Sequence, residues 1–220
     1  KSFKENRRGY IDSIINEMLP IIQKEGLADY IDVFCEKNYF KVEEMEEIVV
    51  AGKAIGLKPK LHLNQFNALG GIRKAVELDA LSVDHLEEIN EDDIEALKGS
   101  NTMPTILPSC SHFLSIPFGD ARRLMNNGLP VALASDFNPG STPSGNLSFV
   151  WSLACVKMKM TPEEALNALT INAAYAMDLS QTHGSISLGK TTPIIITEVI
   201  PNLAYIPYSF GDQLVYKMIS

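Results

Sequence analysis

Five short apolar runs, each followed by a stretch with helical spacing, most narrow what this chain can fold into. They are Ile31-Asp32-Val33-Phe34-Cys35 and residues 58–62, 81–85, 103–107 and 130–134. Runs of this length, bounded by turn residues, read as buried strands. Helical spacing follows at 42–55, 71–78, 92–97, 120–127 and 147–158. The repeat is about 20 to 30 residues, the size of one β/α unit. Strands alternating with helices imply a parallel sheet. Five units fit an open doubly wound sheet, and equally the last five of an eight-stranded barrel. No glycine-rich phosphate loop follows the first strand, and the pair Gly70-Gly71 is too little to make one.

Elements outside the repeat are also legible. Helical spacing at 10–24 stops at Gly26. Thr161-Pro162-Glu163-Glu164 is a capping box with proline at the first helical position, opening a helix through Ala168, and 171–177 is helical again. The tail differs: 184–190 is rich in turn residues, while 193–197 and 213–218 are β-prone with no helix between them. They read as strands of a second, small β unit.

Composition excludes several classes. The 220 residues suffice for one large domain, or one plus a small appendage. Apolar content of 45% and charged content of 21% suit a soluble globular protein, and a net charge of −8 argues against a nucleic-acid surface. No stretch reaches the roughly 20 apolar residues of a membrane span, and no signal peptide is recognisable. Cys35, Cys110 and Cys155 each lie in an apolar segment, which predicts buried reduced thiols in a cytoplasmic protein. The chain starts at Lys1 and ends within a β run, so it is expected to be a piece of a longer protein.

Three residues stand at equivalent places. His62 closes the second strand, His85 the third, and Asp136 follows the fifth, Pro130-Val131-Ala132-Leu133-Ala134, before the turn Asn138-Pro139-Gly140-Ser141. Ends of parallel strands converge on the face where α/β folds keep their chemistry. Two imidazoles and a carboxylate can bind a divalent metal, or supply one ligand and a base. Asp136 can alternatively be a helix cap. Gln65, three residues past His62, reads as part of a solvated turn that would cover the sheet's mouth. His112 is expected in a loop, His183 in a surface turn, Arg122 and Arg123 on a solvated helix face. The acidic run from Glu87 to Asp93 is expected to be a solvated helix start, and Trp151, Met158 and Met160 core.

These residues together resemble a known family. Leu61-His62-Leu63-Asn64-Gln65-Phe66, Gly70-Gly71, Ser82-Val83-Asp84-His85-Leu86-Glu87, Ala134-Ser135-Asp136-Phe137-Asn138-Pro139-Gly140-Ser141 and Asn172-Ala173-Ala174-Tyr175-Ala176 are similar to the imidazolonepropionases, a branch of the metal-dependent amidohydrolase superfamily. The similarity runs from Asp32-Val33-Phe34-Cys35-Glu36-Lys37 to Tyr205-Ile206-Pro207-Tyr208. The resemblance implies an α/β fold: about the last five units of a (β/α)8 TIM barrel over residues 1–180, with part of a small β-sandwich domain over 181–220. It implies His62 and Asp136 as metal ligands, for zinc or iron, and His85 and Asp136 as catalytic residues. Gln65, Asn138, Gly140 and Ser141 are the implied substrate contacts. The implied reaction opens 4-imidazolone-5-propanoate with water to N-formimino-L-glutamate in histidine degradation. The resemblance further implies a small-molecule substrate, a cytoplasmic location and a homodimer for the full-length protein, with no membrane or nucleic-acid partner expected.

The chain departs from the superfamily twice. No His-x-His occurs in it, so two further metal ligands are missing and activity is assigned to the longer parent. Lys190-Thr191-Thr192-Pro193 carries Thr192-Pro193 where the superfamily has Ala-Asp, which bears on sandwich packing. Two alternatives stay open: another cyclic amidohydrolase or aminohydrolase, and a truncated remnant without catalysis.

Overall fold

The computed structural model describes residues 6–191 and 193–219, so Thr192 of the Thr192-Pro193 departure and the starting Lys1 lie outside the described residues. The chain groups into two compact units. One runs to Asp84 and includes Asn90–Thr102; the other is His85–Ile89 with the residues from Met103 onward.

In the first unit, β1 (Tyr30–Ile31) and β2 (Phe34–Cys35) both pair in parallel with β3 (Lys58–Leu63). The single strand expected over residues 31–35 is therefore two, separated by Asp32 and Val33. The register on β3 is unchanged across the break, Ile31 facing Pro59 and Phe34 facing His62. Strand β4 (Ser82–His85) is buried at every residue, as suits a parallel strand covered on both faces. The core comprises Met45 and Val49 of helix Val42–Ala54, Leu61 and Leu63 of β3, Ile72 and Ala75 of helix Gly71–Glu77, and Ile94 of helix Glu91–Leu97.

The helix expected over 10–24 is interrupted. A π-helical turn, Ile14–Met18, separates helix Arg7–Ser13 from helix Leu19–Glu25. Pro20 supplies the reason: it cannot donate to the carbonyl four residues back, and its ring crowds that carbonyl, so the turn widens.

In the second unit, β5 (Met103–Ile106) pairs in parallel with β6 (Ala132–Leu133), Thr105 facing Ala132. Helix Pro108–Leu114, absent from the expected elements, follows β5 with its proline near the start, where a missing N–H does least harm. The capping box forms as expected: Glu164 N donates to Thr161 Oγ1 at 3.2 Å and Thr161 N to Glu164 Oε2 at 2.7 Å, opening helix Pro162–Leu169. Asn172, on helix Ile171–Ala176, donates to the Val131 carbonyl at 2.8 Å and ties that helix to the approach to β6.

Strands alternate with helices from β2 to β6, and the pairings of β1 to β6 within each unit are parallel. The tail forms a separate antiparallel pair, β7 (Ile194–Thr197) with β8 (Val215–Ile219). No described helix is long and apolar enough to cross a membrane.

Candidate active site

His62 is the penultimate residue of β3 and its side chain is 29% exposed. Asp32, in the gap between β1 and β2, holds it at two points. Asp32 Oδ1 accepts the backbone N–H of His62 at 3.3 Å, and Asp32 Oδ2 lies 2.8 Å from His62 Nδ1. A carboxylate on Nδ1 keeps the proton there and leaves the lone pair on Nε2. The Phe34 ring meets the His62 ring edge-on, centroids 6.4 Å apart.

The loop after His62 is anchored rather than solvated. Glu36, 2% exposed, accepts from Phe66 N at 2.9 Å, Asn67 N at 3.1 Å and Asn67 Nδ2 at 2.8 Å. Asn64 has a left-handed backbone, φ 59°, and donates to buried Asp93 at 2.9 Å. Gln65 is buried, against the solvated turn expected for it, because Glu36 draws the loop inward.

His85 ends β4 and is buried. It and Leu86 both have positive φ, 91° and 65°. Two adjacent non-glycine residues in that region store roughly 1–3 kcal/mol of strain each, and the bend turns the chain sharply where His85 stands. Glu87 Oε2 is 3.5 Å from His85 Nδ1, and Glu87 Oε1 accepts from Ser111 Oγ at 2.8 Å. The acidic run does open a helix and Glu88, Glu91 and Asp92 are exposed as expected, but Glu87 and Asp93 are buried. Asp93 caps helix Glu91–Leu97 through Asn90 and accepts from Asn64.

Asp136 lies three residues past β6, half-buried, with φ 56°. Its Oδ2 accepts from Ser141 Oγ at 3.1 Å. Asn138 ties the turn together. Its Oδ1 accepts from Gly140 N and Ser141 N, both at 2.8 Å, and its Nδ2 donates to the Asp136 carbonyl at 2.7 Å and to Ser141 Oγ at 2.8 Å. Ser109 Oγ donates to the Ser135 carbonyl at 2.7 Å. Burial, and second to it hydrogen bonding with Asp136, pushes the Cys110 thiol up to about 12.

The first unit offers the His62 imidazole near the end of β3, and the second offers the His85 imidazole at the end of β4 and the Asp136 carboxylate just past β6. Two imidazole nitrogens and a carboxylate oxygen are donors that suit zinc and iron alike. Asp32 on His62 and Ser141 on Asp136 are the supporting bonds that metal ligands usually have.

The other singled-out residues fall elsewhere. His112 is on helix Pro108–Leu114, exposed, its ring edge-on to Phe149 at 5.2 Å, because Pro108 starts a helix where a loop was expected. His183 Nδ1 is 2.8 Å from Thr182 Oγ1. Arg122 and Arg123 are not merely solvated. Arg122 Nη1 and Nη2 grip Glu164 at 3.1 and 2.6 Å, and Arg123 Nη1 donates to the Ile89 carbonyl at 2.7 Å. Cys35 and Cys110 are buried, but Cys155 is only half-buried. Trp151, Met158 and Met160 are core, as expected. The sequence pointed to no site role for Asp32, Glu36 or Ser111, and to a solvated position for Glu87. The available signal was a carboxylate inside or beside an apolar run, a place where charge needs a partner.

Residues 27–207 match the model of the Amidohydrolase family. Curated relatives named imidazolonepropionase align over nearly the whole chain. That of Flavobacterium johnsoniae is 63% identical over 217 residues, 99% of this chain and 53% of that protein. That of Christiangramia forsetii is 60% identical over 213 residues, 97% of this chain and 52% of that protein. The chain spans about half the length of the curated relatives it matches. An adenosine deaminase structure from Xanthomonas campestris with bound zinc has a TM-score of 0.75 at 15% identity, covering 92% of this chain and 54% of that one. An amidohydrolase from a Sargasso Sea environmental sample also has a TM-score of 0.75, at 16% identity, covering 94% and 53%. At such identities these two speak for the fold alone.

Proposed function

Because the chain belongs to the amidohydrolase family, we propose that it forms the C-terminal half of an imidazolonepropionase. Such an enzyme opens the ring of 4-imidazolone-5-propanoate with water and yields N-formimino-L-glutamate in histidine degradation. The observation that carries this reading is the 63% identity to an imidazolonepropionase over 217 residues, with His62, His85 and Asp136 each at or just past the C-terminal end of a strand.

His62 and Asp136 are the ligands this chain offers a metal, zinc or iron. When bound, the metal supplies Lewis acidity and lowers the pKa of a water toward about 7. Asp136 takes the proton of the attacking water and returns it to the leaving ring nitrogen, so a C–O bond forms as the ring C–N bond breaks. Ser141 Oγ, on Asp136 Oδ2, orients that carboxylate. His85 hydrogen-bonds the carbonyl oxygen as negative charge builds on it. Gln65, Asn138, Gly140 and Ser141 contact the substrate, Asn138 chiefly by setting the turn that presents the other two. The same reading assigns residues 1–180 to a TIM barrel and 181–220 to a small composite β-sandwich, and implies a cytoplasmic homodimer.

The absence of any His-x-His from the 220 residues supports a second reading for the chain taken alone, a fold without metal or catalysis. The test is metal content together with imidazolone ring opening, on this chain and on a version extended upstream. About one metal per chain and ring opening only in the extended form are expected. Neither metal nor activity in either form overturns the catalytic reading.

A further inference from the structure

We propose that Asp32 is a positioning residue for the metal centre, holding His62 in the rotamer and tautomer that bind the ion. The inference rests on the reading of His62 as a metal ligand. It starts from the break in the strand. β1 and β2 keep one register on β3, yet Asp32 and Val33 leave the ladder between them. The backbone N–H of His62 goes to the Asp32 carboxylate instead, at 3.3 Å from Oδ1. The same carboxylate reaches the ring, with Oδ1 at 2.9 Å and Oδ2 at 2.8 Å from Nδ1. One side chain therefore fixes both the main chain of His62 and its imidazole. The edge of the Phe34 ring limits rotation on another side.

The Asp32 side chain is 48% exposed. A solvated His–Asp pair adds little stability, so a stabilising role explains the broken ladder poorly. Orientation explains it better. With Nδ1–H held by Asp32, Nε2 is the nitrogen directed to a metal, and a carboxylate partner raises the basicity of that nitrogen.

The test is Zn2+ affinity of the full protein, by competition with a chromophoric chelator, beside the melting temperature of its metal-free form. Asp32→Ala is expected to weaken Zn2+ binding about 10- to 100-fold, the usual effect of losing such a partner. Asp32→Asn, whose amide oxygen can still accept from both N–H groups, is expected to recover most of that loss. The metal-free melting temperature should stay with that of the parent. Unchanged Zn2+ affinity in Asp32→Ala, with a lowered metal-free melting temperature, overturns the inference and leaves a structural ion pair. His62→Ala is the control. If it leaves Zn2+ affinity unchanged, the metal-site reading itself fails, which separates that failure from the failure of Asp32 alone.

Discussion

Nδ1 of His85 lies 3.5 Å from Oε2 of Glu87, with the two side chains 3% and 1% exposed. Ser111 Oγ occupies the other oxygen of Glu87 at 2.8 Å, and among the described residues none donates a hydrogen bond to Glu87 Oε2. A buried carboxylate oxygen without a donor is costly, and the one ring nitrogen beside it is that of a candidate catalytic histidine. Glu87→Ala removes the acceptor of Ser111 and the carboxylate facing His85. It should lower stability by about 1–3 kcal/mol, the usual penalty for orphaning a buried polar group, and lower kcat for ring opening at least tenfold, while Zn2+ content holds. Urea unfolding and steady-state kinetics on the metal-loaded full protein check this; unchanged kcat would remove Glu87 from the site.

The turn after β6 depends on one amide. Asn138→Ala breaks four hydrogen bonds, to Gly140 N, Ser141 N, Ser141 Oγ and the Asp136 carbonyl. The expected result is a rise in KM and a fall in kcat together, since the turn both presents Ser141 and carries Asp136. Ser141→Ala, which loses only the hydroxyl contacts, should do less. Kinetics on both variants decide the order.

Arg122 and Glu164 set a pH dependence. The Arg122 guanidinium, and then the Thr161 backbone N–H, hold the Glu164 carboxyl below its ordinary value of 4.5. A carboxyl lowered in the folded state adds stability above its unfolded pKa and loses it as pH falls through the lower folded value. The gap in urea midpoint between the parent and Arg122→Ala should therefore be full at neutral pH and shrink as pH falls from the ordinary value through the lower folded one. Thr161→Ala removes the N-cap bond and should cost about 1 kcal/mol.

Gly71 leaves no room for a side chain. A Cβ there would stand 2.9 Å from Leu63 Cδ2, and Leu63 is fully buried next to His62. Gly71→Ala must push Leu63 aside, and overpacking of this kind costs about 1–3 kcal/mol. The melting temperature should fall accordingly.

Thiol reactivity should follow burial. Burial, then the charge of Glu36, pushes the Cys35 thiol up to about 11, and Cys110 is higher still. Almost no thiolate exists at either near pH 8, and the thiolate is the nucleophile. Iodoacetamide at pH 8 should label half-buried Cys155 first and the other two only after denaturation, read by mass spectrometry.

Local patterns determined much of this protein by themselves. The strand–helix alternation, the capping box at Thr161 and the places of His62, His85 and Asp136 are all carried by neighbouring residues. Period, turn chemistry and residue type act over a few positions, so they survive in one dimension. The pairings of Asp32 with His62, Glu87 with Ser111 and Arg122 with Glu164 join residues 24 to 42 positions apart. No local rule selects such partners: a carboxylate finds its donor only once strands and helices pack and water is excluded. The same packing drew Gln65 and Glu87 into the interior, where their polarity alone predicts solvent. Tertiary structure thus decided which polar groups hold the site, because the cost of burying a charge appears only when the chain is folded around it.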